Sequence, residues 1–188
     1  MADATPLQKW SGQPFELLQE LDRRCRQAAA GRQQEVALES EEEWVGVGFL
    51  MGGQPFLVAR DEVREVLPCP TLARVPGARS WLKGLGNVRG QLLSVVDLHE
   101  LAGGAGTPQE RSTRVLVVQH PEIPAGLLVD EVRGFRRFQP GEAVDESPEL
   151  HPDFQPFVRG GFRRGEDYWA VLSVRDLVES QLFLQAAE

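Results

Sequence analysis

The chain has 188 residues, a formal net charge of −8 and two cysteines. That length can bury a full core without a disulfide or metal staple. The acidic balance argues against a protein that tracks nucleic-acid backbone or an anionic membrane surface.

Taken in chain order, residues 1–13 read as a loose polar tail whose start lacks the basic-then-apolar order of a signal peptide. PFELLQELDRRCRQAAAG (14–31) reads as a helix, with Pro14 at its start, Gly31 just past its end, and Leu18, Leu21, Cys25 and Ala28 as one narrow apolar stripe. RQQEVALESEEE (32–43) is an acidic, exposed linker. From Trp44 the pattern changes to strands. WVGVGFLM and QPFLVA flank Gly52-Gly53 as a hairpin, and DEVREVLP is a short turn leading into a strand that Pro68 stops. LKGLGNV and QLLSVVDL are two strands broken at Arg89-Gly90, LHELAGG is one helical turn closed by glycines, and GAGTPQERS is a surface loop. RVLVVQ, AGLLVDEV and RGFRRF form a second set of strands, followed by a Pro-rich connection (139–156). FVRGGFRR and DYWAVLSV read as a hairpin over Arg164-Gly165. RDLVESQLFLQAAE reads as an amphipathic helix over 176–186, with Leu177, Val178, Leu182 and Leu184 inward.

Many short strands, Gly-rich turns and few helices indicate an all-β sandwich or a pair of small barrels. SVVDLHEL and SVRDLVES echo each other: a strand ends in Ser-Val, then Asp-Leu opens a helix, with Asp97 and Asp176 as expected N-caps. The echo supports two barrel-like halves, each ending in a helix. No run approaches the roughly 18–20 apolar residues of a membrane span. Cys25 and Cys69 stand far apart without CxxC or Cys/His spacing, so a soluble cytoplasmic protein with free thiols is expected.

Chemistry-bearing motifs are sparse. His99, His120 and His151 accompany no nucleophile motif and read as solvated or capping groups. There is no HExxH, Cys/His pair or calcium loop, and DESPE (145–149) reads as a solvated loop, so no metal is expected. Gly84, Gly86 and Gly90 give GxGxxxG, one residue off the dinucleotide fingerprint and followed by a strand, so no cofactor is expected. Arg133, Arg136 and Arg137 interleave with Phe135 and Phe138, while Arg159, Arg163 and Arg164 flank Phe162. Such clusters suit either single-stranded nucleic acid on a barrel or a strand with one apolar and one charged face, and the acidic total favours the second.

LKGLGNVRGQLLSVVDL (82–98), with its Lys-Gly pair, Asn-x-Arg-Gly turn, apolar strand and Asp-Leu, resembles the signature of the CheW-like adaptor family of bacterial chemosensory systems. VREVL after FLMGGQPFLV, then AGLLVDEV, then FVRGGFRRGEDYWAVLSVRDLV, resemble that family's other segments in order, over about 140 residues. Ser94 departs from the family's usual proline, and the arm before Trp44 is longer than in a minimal member. With its helix, that arm resembles the PilI type, which serves type IV pilus (twitching) systems.

The resemblance implies a mainly β fold of two five-stranded SH3-like barrels on a shared core. An N-terminal arm (1–43) would precede a CheW-like domain (44–188) whose barrel halves interleave. It implies no catalysis. Instead, a methyl-accepting receptor's cytoplasmic tip and the regulatory domain of a CheA-type histidine kinase would be joined by contact, at the inner face of the membrane, with flagellar chemotaxis as the alternative setting. Carried over by motif, the groove and structural residues are Val63, Glu65, Lys83, Gly84, Asn87, Arg89 and Asp97. The structural alternatives are plain core for Val63, close backbone approach for Gly84, a helix cap for Asp97, an exposed edge charge for Lys83 and a turn role for Asn87. Arg89 is expected to pair with Glu65 across the fold in a partly buried ion pair whose loss costs ~3 kcal/mol. Direct contact with the receptor is the alternative.

Overall fold

The computed structural model describes residues 43–146 and 150–186. The expected tail, helix and linker over 1–42, Cys25, positions 147–149 of the acidic loop and the last two residues lie outside the described residues.

Among the described residues, twelve strands and three short α-helices follow in chain order: β1 Trp44–Met51, β2 Gln54–Ala59, β3 Val63–Pro68, β4 Leu72–Ala73, β5 Leu82–Val88, β6 Gln91–Asp97, α1 Leu98–Leu101, β7 Arg114–Val118, β8 Ala125–Val129, β9 Glu131–Phe138, β10 Ala143–Val144, β11 Val158–Arg164, β12 Asp167–Leu172, α2 Val174–Val178 and α3 Gln181–Leu184. They form two six-stranded sheets, ordered β10-β11-β12-β2-β1-β9 and β3-β7-β8-β6-β5-β4. Each is five full strands plus a two-residue edge strand, β10 or β4, which reconciles the observed sheets with the expected pair of five-stranded barrels.

The two halves trade hairpins. β1 and β2 complete the sheet made by β9–β12, while β7 and β8 complete the sheet made by β3–β6. The junctions are the two parallel pairings, β12 with β2 and β6 with β8, in sheets that are otherwise antiparallel. The same order of elements occurs twice, and Asp-Glu-Val-Arg recurs at 61–64 and 130–133, leading into β3 and β9. Each of these strands carries a bulge where it pairs with β7 or β1.

Alternation along the strands sorts side chains between cores. Leu93 and Val95, Val115 and Val117, and Leu128 fill the second barrel with Val88. Leu57, Phe138 and Phe162 fill the first. The intervening positions, Phe56, Val58, Val96, Leu116, Val118, Leu127 and Val129, face one large core shared by both sheets and sealed by Leu98, Leu101, Leu177, Val178 and Phe183 of the helices. Glu62 ties the halves further: its carboxylate accepts from the backbone N–H groups of Val174 (3.2 Å) and Arg175 (3.1 Å) at the start of α2.

Several expectations are corrected in detail. The echo Ser-Val-x-Asp-Leu is out of register. Counting outward from the closing pairs Val88–Gln91 and Arg164–Asp167, Asp97 matches Ser173 and Glu100 matches Asp176. Asp97 caps α1 as expected, but Ser173, not Asp176, caps α2, because its oxygen is the one that reaches the third helical N–H. The C-terminal helix is two pieces, α2 and α3, because Ser180 restarts the helix by accepting from Phe183 N–H. That resets the phase, so Phe183 turns inward and Leu184 outward. The last hairpin turns at Gly165-Glu166, between the closing residues Arg164 and Asp167. On β9, Phe135 and Phe138 are three apart and so face opposite ways: Phe138 is buried and Phe135 is 67% exposed.

Hairpin exchange has a direct consequence. Residues 43–105 and 106–186, made as separate chains, should each fail to fold alone and should recover native-like circular dichroism and a 1:1 complex on mixing, since each lacks strands of its own sheet. A cooperative melt from either fragment alone would refute the exchange as the organising contact.

Candidate functional site

Five of the seven sequence-derived residues fall at the two ends of the β5–β6 hairpin, and Val63 and Glu65 lie on β3. At ~3.3 Å per residue, Lys83 and Arg89 are about 20 Å apart along it.

At the turn end, Arg89 adopts φ +52, the described non-glycine residue with left-handed backbone, and Gly90 follows at φ +86. Asn87 closes this turn, its Oδ1 accepting from Gly90 N–H at 2.9 Å. The turn aims Arg89 at β3, where its Nη2 lies 2.8 Å from Glu65 Oε2. Beside them Arg64 donates to Gln91 Oε1 at 2.8 Å, linking β3 to the first residue of β6. Arg64, Glu65, Val88, Arg89 and Gln91 line an open cleft of about 290 Å³. Next in sequence to Glu65 and Gln91 stand Val66, 40% exposed, and Leu92, 57% exposed. Val63, one bulge away, is half-buried and packs against the shared core. The expected Glu65–Arg89 pair is therefore formed, but it is not a buried one. Glu65 is 20% exposed and Arg89 82%, so the expected loss of ~3 kcal/mol does not apply, and a surface pair of this kind contributes about 0–1 kcal/mol.

At the open end, Lys83, Glu100 and Asp97 form a compact network. Asp97 is fully buried. Thr107 donates its backbone N–H to Asp97 Oδ2 at 2.7 Å and its hydroxyl to Oδ1 at 2.9 Å; Glu100 N–H donates to Oδ1 at 3.2 Å; Lys83 Nζ lies 3.3 Å from Oδ2 and also pairs with Glu100. One carboxylate thus caps α1 and pins the loop after it. Burial works against the charged forms here. Even so, the hydrogen bond to Glu100 and the negative charge of Asp97 raise the Lys83 pKa, and hydrogen bonds from Lys83 and Ser80 hold Glu100 below its ordinary value. Gly84, at φ +143, sits where β5 bulges, and a methyl group there would overlap the carbonyl oxygen of Ala73. Lys83, Gly84 and Asp97 thus hold the fold together at a place separate from the cleft.

Sequence reasoning passed over Glu62 and Thr107, whose roles depend on distant partners, and read Phe135 as one face of a strand. The repeated Asp-Glu-Val-Arg segment was the available signal for Glu62. Phe135 projects outward beyond the β9 bulge, with the Arg60 guanidinium 5.9 Å from its ring centre.

Fold and site together define a small two-barrel β protein whose distinctive groups lie on an open surface cleft. The CheW-like domain model matches residues 45–182. Protein PilI of Pseudomonas aeruginosa is 42% identical over 174 residues, covering 93% of this chain and 96% of that protein. Chemotaxis protein CheW of Helicobacter pylori is 25% identical over 162 residues, covering 86% and 96%. The crystal structure of scaffolding protein TtCheW from Thermoanaerobacter tengcongensis superimposes with a TM-score of 0.64 at 20% identity, covering 74% of this chain and 94% of that one, and so shares the fold. The chain belongs to the CheW-like family.

The two ends of the hairpin should respond differently to mutation. In urea denaturation, Arg89→Ala should change stability by no more than about 1 kcal/mol, with Arg89→Gly no worse because glycine relieves the positive φ. Asp97→Ala should cost about 3 kcal/mol or more, since it strands Lys83 and the Thr107 donors. Equal costs would contradict the assigned burial. The acid limb is a second test. A carboxyl whose folded-state pKa lies below its unfolded value contributes stability above the ordinary Glu range and loses it as pH falls through the lowered value. Glu100→Gln should lower the melting temperature at neutral pH and flatten its fall toward acid; an unaltered acid limb would count against the Lys83–Glu100 assignment.

Proposed function

We propose that this protein is a non-enzymatic adaptor that joins the cytoplasmic tip of a methyl-accepting chemoreceptor to the regulatory domain of a CheA-type histidine kinase. It works in a chemosensory array at the inner face of the membrane, with type IV pilus twitching as the output. The reading is supported by membership of the CheW-like family and by 42% identity to a PilI protein over nearly the whole chain. The observation that carries the docking role is the open cleft at Glu65 and Arg89, edged by the exposed Val66 and Leu92. A shallow surface with a fixed ion pair and exposed aliphatics suits the side of a partner's helix. Among the described residues no helix is long and apolar enough to cross a membrane, so in this reading membrane proximity comes through the receptor.

The identities to CheW proteins, such as 25% to that of Helicobacter pylori, make a flagellar array the second reading, and the higher identity to PilI favours the pilus. A nucleic-acid surface is disfavoured by the arginine clusters themselves. Arg133, Arg137, Arg163 and Arg164 lie on Glu131, Glu43, Glu146 and Glu142, and Arg136 lies over the Trp169 ring.

The test is binding of purified receptor-tip hairpin and kinase regulatory domain, measured by calorimetry, for the wild type, Glu65→Arg, Arg89→Glu and the double charge swap. Each single variant should bind the receptor tip at least about tenfold more weakly, with substantial recovery in the swap if the pair sets the cleft's shape. Loss without recovery would assign Arg89 to direct contact. A wild-type protein that binds neither partner would overturn the adaptor reading.

A further inference from the structure

We infer that the loop between β4 and β5 carries a second docking cleft, built to receive a carboxylate-bearing, partly apolar segment of a protein partner. In the described part of this acidic chain, most of the basic side chains are occupied. They lie on carboxylates, as Arg159 does on Asp176, over rings, as Arg60 and Arg136 do, or on backbone carbonyls, as Arg114 does. Among the described residues the arginines whose side chains make no ion pair, hydrogen bond or ring contact are Arg74, Arg79, Arg111 and Arg175. The first two line one cleft of about 560 Å³ together with Val75, Leu82, Lys83 and Glu100.

Lys83 is already committed to Glu100 and Asp97, so the free charge in the cleft is that of the two exposed arginines. Their platform is fixed. Arg79 N–H donates to the Ala186 carbonyl at 2.9 Å, Leu82 N–H donates to the Arg79 carbonyl at 3.0 Å, and the next residue, Trp81, is buried with its ring against Phe183. An anchored loop therefore presents two unneutralised guanidinium groups in the same cleft as half-buried aliphatic side chains. A free phosphate would find no use for the aliphatic floor. An amphipathic segment with an acidic flank meets both features, because arginine pairs well with carboxylates and the floor takes the apolar face. An acidic face would meet repulsion over much of an acidic protein's surface, so this cleft also fixes where it lands.

The inference rests on the adaptor reading, because it supposes a protein partner. The experiment uses the full chain with Arg74→Glu and Arg79→Glu combined, and with Arg74→Lys and Arg79→Lys combined. The probes are the receptor-tip hairpin and the kinase regulatory domain, each at two salt concentrations. The charge reversal should weaken one probe at least about tenfold at low salt, less at high salt, with the melting temperature unchanged, while the lysine variant stays within about threefold. Unchanged binding of both probes by the reversed variant overturns the inference and leaves the adaptor reading standing. Failure of the wild type to bind either probe overturns the adaptor reading itself.

Discussion

The exchange of β1–β2 for β7–β8 between the two halves is the constraint on which the other features rest. Were each half to complete its own sheet, two small barrels of marginal size would meet only at their surfaces, and small domains bury too little of their chain to be robust. The exchange instead puts alternate residues of β2, β7 and β8 into a barrel interior on one side and the common core on the other, so neither barrel can open without exposing the shared core. The parallel pairings β6–β8 and β12–β2 are the seams. Helices α1 and α2 leave the sheets where those seams end, and each is capped at the strand-to-helix junction by a side chain matched in position, Asp97 or Ser173.

Charge follows the same division between structure and surface. Asp97 is buried and fully satisfied, with four donors for one carboxylate, and loss of the Lys83 charge would leave that carboxylate uncompensated in the interior. Arg89 and Glu65 are wet, held together by a strained turn and a bulged strand, so their pairing adds shape with little stability. The adaptor role proposed above, which works through contact alone, is compatible with this separation. The Glu65–Arg89 cleft can change residue by residue while the buried Asp97 carboxylate that locks α1 and its loop is untouched.

Much of this was legible from local pattern. The alternating apolar runs, Gly-Gly and Arg-Gly turns and Asp-Leu helix starts place the strands and α1 nearly where they lie, and the Asn-Val-Arg-Gly turn marks the cleft. What was not legible is non-local. Which strand a hairpin joins is decided across the chain, so the exchange and the Glu62 cap of α2 leave no mark at short range. The exposure of Arg89 depends on how far the turn projects beyond β3. The echoed Ser-Val-x-Asp-Leu coincides with a repeated order of elements but in the wrong frame, because identical letters fall on positions that the hairpin turns set apart.

The two halves repeat one order of elements but differ at the positions that form the cleft. Glu65 corresponds to Gly134, since both follow the Asp-Glu-Val-Arg segment, and Arg89 corresponds to Gly165 in the matching turn. The second half therefore has no ion pair in the equivalent place; there Arg164 reaches instead to Glu142, at 2.8 Å, and to the Arg137 carbonyl, at 2.7 Å, closing its own barrel. The equivalent of the exposed Val66 is Phe135. One barrel thus presents a polar, ion-paired cleft and the other an exposed aromatic ring under an arginine. Two unlike surfaces on one body fit the proposed adaptor role, whereas a strictly symmetric pair of barrels would offer the same site twice.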